Sequence, residues 1–82
     1  MKQKIEEKLR NNIKIEFLEI ENKSYLHKGH AGDNGSGETH FRIIVESNEL
    51  RSLSRINAHK KINKFLREEF ANGLHALEIN IR

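Results

Sequence analysis

Apolar and polar positions alternate with two different periods along this chain, and the changes of period divide it into elements. From Lys2 to Asn11 the apolar residues Ile5 and Leu9 fall one turn apart among charges, which predicts a short helix stopped at Asn11-Asn12. Ile13, Ile15 and Phe17 then alternate with polar residues, so Ile13 to Glu21 predicts a strand. Its parity switches to Leu18 and Ile20, which implies a bulge or a strand covered on both faces. A second strand is predicted from Thr39 to Glu46, with Phe41, Ile43 and Val45 on one face and His40 on the other. The two strands are expected to pair antiparallel.

The second half opens on a helix capped by Ser52 or Ser54 and running to about Phe70. Leu53, Ile56, His59, Ile62, Leu66 and Phe70 step along it at spacings of three and four, and Phe65 widens that stripe. Asn72-Gly73 is a helix stop, since glycine accepts the left-handed cap. His75, Leu77, Ile79 and Ile81 share one parity, so His75 to Ile81 predicts a third strand. The order helix–strand–strand–helix–strand gives a single α+β domain over residues 1–82, with helices on one face of a three-stranded mixed sheet. A helical crossover into the last strand requires a parallel pair.

Between the halves, Lys28 to Gly37 holds four of the five glycines and predicts an exposed loop. Within 82 residues there is no room for a separate catalytic domain, and no nucleophile elbow, phosphate loop or paired-carboxylate pattern occurs. Glu68-Glu69 are helix neighbours that point in different directions. The chain is therefore expected not to be an enzyme. No long apolar run or leader-like start is present, so the expected compartment is the cytoplasm, with no membrane association. The net charge of +3 arises from 15 basic residues interleaved with 12 acidic ones, which reads as a mixed solvated surface rather than a nucleic-acid footprint.

The absence of cysteine excludes disulfides, a thiolate metal site within the chain and a cysteine nucleophile. Any soft-metal chemistry must take its sulfur from a partner. Histidine is the candidate ligand, with five in the chain. His27 and His30 sit at or in the glycine loop, where a His-x-x-His pair is a weak metal signal. His40 reads as a packing or hydrogen-bonding residue, and His59, on the apolar helix face, as a structural histidine. His75 stands at the mouth of the last strand, where a structural and an accessible role fit equally well.

Several runs resemble the BolA-like family. Ile5-Glu6-Glu7-Lys8-Leu9 is similar to its start, and Ser24-Tyr25-Leu26-His27, a glycine loop and Glu38-Thr39-His40-Phe41-Arg42 are similar to its central signature. Leu53-Ser54, His59 in a helix, and Leu74-His75-Ala76-Leu77 resemble its second half. The resemblance covers almost the whole chain. It implies a class II KH-like fold lacking the Gly-x-x-Gly loop. It also implies a heterodimer with a monothiol glutaredoxin that shares a 2Fe–2S cluster, the partner supplying a cysteine and a glutathione thiolate; the isolated chain is expected to be a monomer without cofactor. The family's strand-three ligand falls on His75 and its loop ligand on His30 or His27, with His30 favoured because its glycine-rich surroundings let the backbone adapt. Imidazoles can replace thiolates on such clusters, as in Rieske centres.

The chain departs from the family where the usual Arg-His-Arg reads Ala58-His59-Lys60, and where a glycine before the helix is Ser52. A different reading, a KH-like DNA-binding transcriptional regulator, would use Arg55, Lys60, Lys61 and Lys64, flanked by Arg51 and Arg67, as its phosphate-contacting surface. The lost basic residue and the missing Gly-x-x-Gly loop weaken it.

Overall fold

The computed structural model describes residues 1–27 and 37–82, except the side chains of Leu26 and His27. Helix α1 (Lys2–Asn12) buries Ile5 and Leu9, the pair one turn apart, and ends where Ile13 turns extended. Strand β1 (Phe17–Asn22) leads into a short 3-10 helix (Ser24–His27), and β2 (His40–Glu46) follows. Helices α2 (Asn48–Arg51), α3 (Arg55–Phe65) and α4 (Arg67–Ala71) precede β3 (Ala76–Ile81). The sheet order is β1-β2-β3, antiparallel between β1 and β2 and parallel between β2 and β3. The expected α+β domain with a mixed sheet is thus the fold.

The core lies between one sheet face and the helices. Ile20 of β1 and Phe41, Ile43 and Val45 of β2 pack with Ile5 and Leu9, Leu50, and the α3 side chains Ala58 and Ile62, closed by Leu66. Leu18, Leu77, Ile79 and Ile81 complete it from the strand edges.

Three expectations are corrected. First, β1 starts at Phe17, not Ile13, and carries no bulge: its register runs unbroken from Phe17↔Glu46 to Asn22↔Phe41. Ile13 is buried as the residue that caps α1, so the change of parity marks a helix exit rather than a bulge. Phe17 consequently falls on the open sheet face, 41% exposed. Second, the long helix expected to run to Phe70 is two, α3 and α4, and the unexpected α2 precedes them. Ser47, missed in the sequence, caps α2 by accepting from Leu50 N–H, Ser54 caps α3 by accepting from Asn57 N–H, and the chain breaks at Leu66. The stripe is also turned: Ile56 is 68% exposed, while Ala58, Ile62, Leu66 and Glu69 are buried. A stripe built on the largest apolar residues does not anticipate that the small Ala58 takes a buried place. Third, β3 begins at Ala76, one residue later than expected, and His75 just before it is exposed.

Polar ties fix α1 against α4. Lys8 Nζ lies 3.0 Å from Glu68 and 2.9 Å from the buried Glu69. Its hydrogen bonds to Glu69 and then Glu68 hold the Lys8 ammonium above its ordinary value, and Lys8 in turn holds the Glu68 carboxyl below 4.5. The Glu68 contribution is therefore present above pH 4.5 and is lost as pH falls through the lowered folded value. The Lys8 contribution is present below 10.5 and is lost as pH rises through the raised one. Glu68→Gln is expected to flatten the acid limb of stability against pH, measured as the urea midpoint from pH 3 to pH 6, by lowering the neutral plateau slightly while the acid end stays close to the parent.

Candidate functional site

One end of the sheet gathers the residues with chemistry to offer. There β1 runs out through Asn22 and Lys23 into the 3-10 helix, while β2 and β3 both begin, at His40 and Ala76. A chain leaving a strand must satisfy backbone groups that no longer have a ladder partner, and Ser24 does this for its neighbours. Its hydroxyl, in a residue 5% exposed, accepts from Thr39 N–H at 2.9 Å and His40 N–H at 3.0 Å and donates to the His40 carbonyl at 3.3 Å. Lys23 N–H also donates to the His40 carbonyl, at 2.8 Å. Asn22 accepts from Ser24 N–H through Oδ1 at 2.9 Å and donates through Nδ2 to the Gly37 carbonyl at 2.7 Å. Gly37 enters β2 with φ at +73°, a conformation that side chains resist.

The start of β3 is tied to the same point. The Thr39 carbonyl accepts from His75 N–H at 2.7 Å and Ala76 N–H at 3.1 Å. His75 presents its ring to the outside, whereas His40 is 7% exposed, with Nδ1 2.8 Å from the Thr39 hydroxyl. The two rings stand 5.3 Å apart between centroids, tilted by 51°. Tyr25, 68% exposed, flanks this end from the 3-10 helix. Beside it Lys23 and Glu21 pair at 2.9 Å, and the Lys23 hydrogen bond holds the Glu21 carboxyl below its ordinary value.

Of the sequence candidates, His75 and His40 come together here. His27 ends the 3-10 helix at the same end, with its side chain outside the described residues, and His30 lies outside them altogether. His59 stands apart and only partly buried, in a groove of ≈ 550 Å³ between α2–α3 and β3 that Leu53, Ile79 and Ile81 also line. The stripe position that made it a core histidine belongs to Ala58. Sequence reasoning also passed over the joining role of Ser24 and Thr39. Their signal was the pairing of Asn22 with Ser24 just past a strand, a spacing at which an Asn side chain bonds its own backbone two residues on.

As a ligand set, the described residues are incomplete. Among them no three or more His, Cys, Asp or Glu side chains gather in a way that would hold a metal ion. The basic candidates lie elsewhere: Arg55, Lys60 and Lys64 are exposed on α3, while Lys61 is 3.0 Å from Glu49. No described helix is long and apolar enough to cross a membrane.

Comparison with known proteins agrees with the fold. The BolA domain of SufE1 from Arabidopsis thaliana superposes with a TM-score of 0.86 at 36% identity, over 98% of this chain and 87% of that one. BolA-like protein 1 of Pongo abelii is 42% identical over 78 residues, 95% of this chain and 54% of that protein, so the chain spans about half of that relative. The DNA-binding transcriptional regulator BolA of Haemophilus influenzae is 31% identical over 81 residues, 99% of this chain and 75% of that protein. The family model described as BolA-like protein matches residues 9–82, nearly the whole sheet and helix layer, and the chain belongs to that family.

Proposed function

We propose that this chain is a cytoplasmic, non-enzymatic adaptor that pairs with a monothiol glutaredoxin and shares a 2Fe–2S cluster with it. In this reading His75 supplies one imidazole and His30 or His27 a second, while the partner's cysteine and a glutathione thiolate complete the set. The observation that carries the reading is the exposed His75 ring at the open end of the sheet, in a chain without cysteine. The cluster supplies transferable iron and sulfide and a one-electron couple. The chain's own part is to present neutral nitrogen ligands at a fixed place. Two main-chain bonds to the Thr39 carbonyl hold the His75 backbone in register with β2. Exchanging anionic thiolates for imidazoles lowers the negative charge at the centre and makes ligation sensitive to protons. Purified alone and treated with iron, sulfide and glutathione, the chain is expected to stay colourless; a stable cluster at one per monomer contradicts the adaptor reading.

A second reading, nucleic-acid binding, has support in the name of the Haemophilus influenzae relative, a DNA-binding transcriptional regulator, and in the exposed Arg55, Lys60 and Lys64 of α3. Three phosphate contacts would give a slope of about −3 in log affinity against log salt. Anisotropy of a labelled duplex between 50 and 200 mM salt separates the readings, because cluster ligation has no such slope; Lys60→Glu with Lys64→Glu should abolish any binding seen.

A further inference from the structure

We propose that His40 is a positioning residue that sets the orientation of the His75 ring, an inference that rests on the ligand reading of His75. An exposed histidine on its own samples several staggered rotamers, and a ligand that must meet a centre held mainly by another molecule gains from being held in one. Metal-binding histidines are ordinarily oriented by groups outside the ligand set. Here the ring of His40 stands against that of His75, with centroids 5.3 Å apart, inside the range of tilted aromatic contacts.

His40 is equipped to act as a wall because it is itself buried and tied by hydrogen bonds. Its N–H donates to Ser24 Oγ at 3.0 Å, its carbonyl accepts from Lys23 N–H at 2.8 Å, and its Nδ1 lies 2.8 Å from the hydroxyl of Thr39. Thr39 is fully buried, and its carbonyl receives the N–H groups of His75 and Ala76. Backbone and ring of His75 are thus both referenced to the same dipeptide, Thr39-His40. The residue type supports the assignment. At 7% exposure a phenylalanine would fill the space without a polar group to satisfy. What the imidazole adds is a nitrogen that the Thr39 hydroxyl can hold, which fixes the plane of the ring that His75 meets.

The test begins on the isolated, metal-free chain, where three-bond couplings about χ1 and ring relaxation report the rotamers of His75 by NMR. One rotamer is expected to dominate in the parent. His40→Ala is expected to spread His75 over several, and His40→Phe, which keeps the volume and serves if the alanine variant does not fold, to spread it less. In the heterodimer with a cluster-loaded monothiol glutaredoxin, both variants are expected to lose the shared cluster faster, by about 10-fold for His40→Ala. A His75 already averaged in the parent, or one unchanged in both variants, overturns the proposal. If His75 becomes mobile but cluster lifetime stays at the parental value, and His75→Ala also leaves it there, positioning stands and the ligand reading fails.

Discussion

His75→Ala is expected to abolish, or shorten to a small fraction, the lifetime of the cluster shared with a monothiol glutaredoxin, while the variant folds almost as the parent does. The ring is exposed, and it lies outside the packed core. Its loss therefore costs far less than the roughly 2–5 kcal/mol of a buried aliphatic truncation. Both main-chain bonds to the Thr39 carbonyl survive in alanine, so β3 keeps its register. Visible circular dichroism of the mixed complex reads the cluster, and a far-ultraviolet melt reads the fold. An unfolded variant would assign His75 a structural role; an unchanged visible spectrum would remove it from the ligand set.

Ser24→Ala is expected to be the more damaging change to the fold, although it removes one oxygen atom. That oxygen accepts from two buried N–H groups, at Thr39 and His40. Leaving a buried donor without a partner costs about 1–3 kcal/mol, so the pair amounts to roughly 2–6 kcal/mol. For a domain of this size that lowers the melting temperature by roughly 10 °C or more. Hydrogen exchange should accelerate first at the amides of Thr39 and His40, and Ser24→Thr, which keeps the hydroxyl, should restore most of the loss. A melting temperature within 2 °C of the parent would show that the hydroxyl is dispensable. The same variant should also loosen His40, linking the stability of this sheet end to the candidate site.

Sequence periodicity carried the fold further than the site. Strands with one covered face repeat every second residue, so Phe41, Ile43 and Val45 disclosed β2 directly, and the crossover disclosed the parallel pair. Periodicity failed where a break or a small residue decides the geometry. Nothing in the spacing of Leu66 and Phe70 announces that α3 stops at Phe65, and a stripe of large side chains cannot reveal that the small Ala58 is buried while Ile56 is exposed. At the site, the position of His75 at a strand mouth was legible, but its exposure was not, because Leu74 takes the buried place beside it. The Ser24, Thr39 and His40 network joins residues 15 and 16 apart in sequence, and the Asn22–Ser24 spacing signals only its local half.

The most direct measurement is the visible circular dichroism of a cluster-loaded monothiol glutaredoxin, with glutathione, titrated with this chain. A cluster shared between the two molecules predicts new bands that grow with added chain and saturate at one chain per glutaredoxin, with His75→Ala failing to produce them. Spectra that remain the sum of the separate components across the titration, at concentrations where the parent chain is fully folded, would contradict the shared centre.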